Sequence, residues 1–94
     1  MHNELSPPSS DLKVRVSLGE GADADSIGRL ASLDSGSPPD GPVVLAELDG
    51  EPVAALGIAD GSVVADPFRI SNTIVFLMRA HRFEVRAIGA IFGY

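Results

Sequence analysis

Ninety-four residues with 45% hydrophobic content make one small domain with enough material for a core, and the absence of cysteine excludes disulfides and thiolate zinc sites. The net charge of −6 is divided unevenly: residues 1–68 set three basic side chains against twelve acids, while residues 69–94 set four arginines against Glu84 alone. An acidic body argues against nucleic acid as a partner and leaves the C-terminal segment as the place where an anion is favoured.

Met1 to Ser10 is polar and Pro/Ser-rich, and reads as a disordered leader ahead of one domain over residues 11–94. It lacks the basic start and apolar run of a signal peptide, and no stretch approaches about 18 consecutive apolar residues, so a cytoplasmic protein is expected. Asp11 to Leu18 alternates: Val14, Val16 and Leu18 point one way, Lys13, Arg15 and Ser17 the other, as in a half-buried strand. A short helix follows over about Ala24 to Leu33, with Asp23 as N-cap and Ile27, Leu30 and Ala31 on one face. Gly28 weakens it by about 1 kcal/mol relative to Ala, so it needs a sheet beneath it. Ser35 to Pro42 is a Pro/Gly loop.

The segment Ala46 to Arg69 carries two Asp-Gly pairs, Asp49-Gly50 and Asp60-Gly61, each between apolar runs. Asp-Gly tolerates the φ > 0 of a two-residue hairpin turn, so strands at Val43–Leu48, Pro52–Ile58 and Ser62–Ala65 should form an antiparallel meander. Pro52, with no amide to donate, belongs at a strand start. After Pro67 a helix begins, capped by Ser71 or Asn72. At about 100° per residue, Ile70, Ile74, Leu77, Met78, His81, Val85 and Ile88 form the stripe that should face the sheet. Phe76, Ala80, Phe83 and Ala87 form a second strip, and Arg79, Arg82 and Arg86 a short basic face. Residues 89–94 are expected to end the chain loosely.

Candidate chemistry is sparse. His81 has one acid near it, Glu84 at i+3, which suits an ordinary edge pair better than a metal site or a catalytic pair. His2 lies in the leader. No serine has a nucleophile context, and Asp23, Asp25 and Asp34 are spaced for caps and solvent rather than for calcium. No catalytic residue and no metal site are expected. The three arginines read first as a solvated flank or as partners of the acidic body, and second as a surface for anionic lipid.

Val14-Arg15-Val16, the helix around Ile27 to Leu33, VVLAELDGEPVAAL and VVADPFR together resemble the N-terminal part of the GNAT N-acetyltransferase family, over about residues 12–80. The resemblance implies an α+β fold, a four-stranded, mainly antiparallel sheet with two helices, equivalent to the front half of that domain. It also implies an acetyl-CoA loop of the type Arg/Gln-x-x-Gly-x-Gly/Ala at the last helix, where backbone amides and the helix dipole hold pyrophosphate. Here Arg69 stands at the Arg/Gln position, but no glycine occurs between Gly61 and Gly89. What remains is a weak anion site of Arg69, Ser71 and Asn72.

The expectation is therefore a binding or interaction module without a cofactor. Two rivals stand beside it: an acetyl-CoA-dependent acetyltransferase completed by a second chain, and a membrane-surface or partner-docking module using the basic amphipathic helix. A half-domain would leave Ser62–Ala65 as an open edge beside Phe76, Ala80 and Phe83, and a homodimer or a complex with another protein through that edge and strip follows. The competing arrangement is a monomer in which Ile91, Phe92 and Tyr94 cover the strip.

Overall fold

The computed structural model describes residues 11–92. The leader, His2 and the last two residues, Gly93 and Tyr94, lie outside the described residues. The order is β1 (Leu12–Ser17), α1 (Ala22–Leu33), β2 (Val43–Leu48), β3 (Glu51–Gly57), β4 (Val63–Ala65) and α2 (Asn72–Phe92). The fold is α+β, with one antiparallel sheet in the order β1-β2-β3-β4 and two helices.

Strand alternation assigns each residue to one of two cores. Val43, Leu45, Ala55 and Val64 pack with Ile27, Leu30 and Ala31 of α1. Val44, Ala46, Ala54, Leu56 and Ala65 pack with Ile74 and Met78 of α2. The sheet is thus covered on both faces, which explains why β2 and β3 are almost continuously apolar. With few aromatics, the fully buried side chains are Leu30, Leu45, Leu56, Met78 and valines.

The turns follow their glycines only in part. Asp49 (φ 52°) and Gly50 (φ 84°) form the expected two-residue hairpin turn, both in the left-handed region. The second Asp-Gly does not. β3 ends at Gly57 and β4 begins at Val63, and the Gly61 amide donates to the Gly57 carbonyl at 2.9 Å, so a wider loop spans residues 58–62. Only Gly61 (φ 76°) is left-handed there, and the Asp60 carboxylate turns inward to accept from the Ser62 amide at 2.9 Å. Pro52 is the second residue of β3 rather than the first. The register shifts between Ala46 and Glu47, and this bulge leaves a proline without a ladder donor tolerable there.

The helix ends also differ from expectation. α1 begins at Ala22 with Gly21 as its cap, and no side chain caps it; Asp23 lies inside the first turn. It ends in a complete Schellman motif, with the Gly36 amide on the Ala31 carbonyl, the Ser35 amide on the Ser32 carbonyl, and Ser35 at φ 53°. Ser71 caps α2 as expected, its Oγ accepting from the Ile74 amide at 3.2 Å. α2 does not fray at Gly89 but continues through Phe92.

Candidate functional site

Three places carry polar chemistry or an unpaired apolar surface. The first is the start of α2. The fold brings Arg69, Ser71 and Asn72 into one turn, as the sequence suggests, and part of that turn's hydrogen-bonding capacity is already used. Asp66 organises it: the amides of Arg69 and Ile70 donate to its carbonyl, and the Phe68 amide donates to its Oδ1 at 2.9 Å. Arg69 Nη1 lies 2.6 Å from Glu51 Oε1, and Ser71 Oγ is held by the cap. An anion arriving here meets the Asp66 carboxylate and an arginine already paired. The fold thus brings the three residues of the weak anion site together, with Arg69 paired and Ser71 Oγ engaged in the cap.

The second place links β1, α1 and β2. Arg15 shares the α1 side of the sheet with Ser17, and its guanidinium donates to both Asp23 oxygens at 3.0 and 2.9 Å. It also reaches Glu47 at 3.4 Å, while the Ser17 hydroxyl donates to Asp23 Oδ2 at 2.6 Å. The two Arg15 hydrogen bonds, followed by that from Ser17, hold the Asp23 carboxyl down at about 2. The same partners, Asp23 first and then Glu47, hold Arg15 further into its charged range. Every member is satisfied, so the cluster ties three elements together and leaves no group free for a ligand. By sequence Asp23 has the form of a cap and Arg15 that of an outward residue. The available signal was Glu47, a single acid inside the apolar strand VVLAEL, which needs a cation near it.

The third place is α2 itself, whose two sides do different work. Ile74 and Met78 are buried against the sheet. Leu77, between them in sequence, is 39% exposed at the margin of the stripe, and Ile88, farther along the helix, is 52% exposed. His81 lies 3.9 Å from Glu84, the edge pair expected. Arg82 and Arg86 do not form an open basic face. Arg82 Nε donates to the Ile58 carbonyl at 2.9 Å and Nη2 to that of Ala59 at 3.3 Å. Arg86 Nη1 reaches the same two carbonyls at 3.1 and 3.2 Å. Arg79 stays exposed and makes no ion pair among the described residues. On the outer side Phe76 is 69% and Phe83 74% exposed, with exposed Ala80 between them.

The β4 edge is covered in part. Asp34, just past α1, accepts from the outward-facing Ala65 amide at 3.2 Å, a covering the loop composition did not reveal. Elsewhere, a shallow pocket of about 270 Å³ between the β1–α1 turn and the Pro loop is lined by Leu18, Ile27, Pro38 and Pro39, with no charged side chain. Among the described residues no group of three or more His, Asp or Glu side chains is placed to hold a metal ion, and no helix is long and apolar enough to cross a membrane. Compared with protein-family models, curated proteins and solved structures, the chain matches none.

Proposed function

We propose that this chain is a GNAT-like interaction module that works by binding, and that it binds through the outer face of α2, pairing with itself. The observation that carries this reading is the helix's second apolar strip. A helix packed on one side and apolar on the other needs two partners, and the fold supplies one. Phe76 and Phe83 are large aromatic side chains left in water beside Ala80, a patch rather than scattered exposure. The pairing of Arg69 with Glu51 and the absence of glycine between Gly61 and Gly89 favour binding over acetyl-CoA chemistry. The engagement of Arg82 and Arg86 with backbone carbonyls disfavours the lipid-surface reading.

Light scattering of the full chain at about 50 µM is the test, since a micromolar Kd leaves most of the protein paired there. A dimer mass is expected, falling to the monomer in Phe76→Asp. A monomer mass for the parent chain overturns the reading. Calorimetry with acetyl-CoA separates the enzyme rival: no saturable heat is expected below about 1 mM, and a micromolar Kd restores the acetyltransferase.

A further inference from the structure

The outer strip of α2 has a spacing of its own. Thr73, Phe76, Ala80, Phe83 and Ala87 follow one another at intervals of three, four, three and four. That is the spacing of one helix face, and over this length it also fits the 3.5-residue repeat of a two-stranded seam. Small residues (Thr73, Ala80, Ala87) hold one set of seam positions and aromatics (Phe76, Phe83) the other, so in a parallel pair each layer is made of like residues, the phenylalanines stacking on their own copies and the small residues on theirs. On the wheel this seam is roughly opposite Ile74 and Met78, so two copies meeting along it keep their sheets on the outside.

The flanking charges choose the direction. Arg79 and Arg86 stand at the positions just before the small seam residues, and Leu77 and Glu84 at the positions just after the aromatics. In a parallel pair, a residue before the seam faces the residue five places later on the other helix, so Arg79 faces Glu84 of the partner subunit, twice by symmetry. In an antiparallel pair, like flanks face each other, so the flank of Asn72, Arg79 and Arg86 meets its own copy and Arg79 has no carboxylate opposite it. Arg79 makes no ion pair among the described residues, and Glu84 has only His81 at 3.9 Å while its side chain is 72% exposed.

We infer that a second copy of this chain docks on the outer face of α2 in parallel, along the Thr73–Phe76–Ala80–Phe83–Ala87 seam, with Arg79 paired to Glu84 across the interface. This rests on the self-association proposed above and adds its direction and register.

The chain holds no cysteine, so Ala87→Cys reports direction cleanly. In a parallel pair the two introduced thiols meet, within the Cα separation of about 4.4–6.8 Å that a disulfide needs. An antiparallel pair sets them more than about 15 Å apart along the axis. Mild oxidation is expected to convert Ala87→Cys to a covalent dimer that reductant reverses. Arg79→Glu and Glu84→Arg are each expected to weaken the dimer Kd about tenfold by setting like charges across the seam, and the two together to recover it. A dimer mass with no Ala87→Cys cross-link, or charge effects that add instead of cancelling, overturns the parallel register and leaves self-association standing. A monomer mass for the parent chain overturns both.

Discussion

Gly50 and Gly61 share a left-handed backbone but have different surroundings, and the difference is measurable. A Cβ at Gly50 meets nothing within 4 Å, so Gly50→Val carries only the cost of φ 84°, about 1 kcal/mol. A Cβ at Gly61 comes to 3.4 Å from the Arg82 guanidinium as well as sitting at φ 76°. Urea unfolding is expected to show the larger loss for Gly61→Val; equal losses would mean that Arg82 does not hold that loop. Ser35 is the reverse case, a side chain at φ 53° where a Schellman motif favours glycine. Ser35→Gly is expected to stabilise the fold by about 0.5–1 kcal/mol, read from the same unfolding curves, because the new residue removes a steric cost without touching a hydrogen bond.

Among elements, the tie between β1, α1 and β2 makes stability depend on pH. The Asp23 carboxyl titrates at about 2 when folded, below its ordinary 3.8. Its contribution is therefore full above about pH 4 and is lost as the pH falls from there towards 2. Thermal melts between pH 2 and 7 are expected to show that fall in the parent, and a flatter profile from a lower starting point in Asp23→Asn. Identical slopes would remove Asp23 from the account. The elements themselves were legible because each has a local cause: alternation in β1, three apolar residues at helical spacing in α1, and Asp49-Gly50 between two apolar runs. The loop around Asp60-Gly61 was misread because its geometry is set by Arg82 and Arg86, twenty or more residues away in sequence, and not by the dipeptide. Asp23 was misread for a related reason. An acid before an apolar stripe has the local form of a cap, and only the fold shows Arg15 reaching it. At the candidate site, Phe76, Ala80 and Phe83 were visible as a strip, but the engagement of Arg69 with Glu51 was not, since nothing in the sequence pairs them.

At the scale of the whole molecule, the two sheet edges are guarded differently. β1 presents Lys13, a charge that discourages a further strand, and β4 is three residues long with Asp34 on its Ala65 amide. Asp34→Ala frees that amide and is expected to produce assemblies larger than those of the parent chain in light scattering, while Asp34→Asn, which keeps an acceptor, stays at the parent's mass. No growth in Asp34→Ala would mean that brevity alone protects the edge. The sheet's other end is closed by the contact between α2 and the loop after β3, and that contact has a particular character. Both guanidiniums address main-chain carbonyls, at Ile58 and Ala59, rather than any side chain. Such a contact recognises the path of the chain and is indifferent to the identity of exposed Ala59. Substitutions at Ala59 should pass unnoticed, whereas one residue inserted between Gly57 and Gly61 would carry the carbonyls out of reach of both arginines. The loop is thus free in composition at Ala59 and fixed in length.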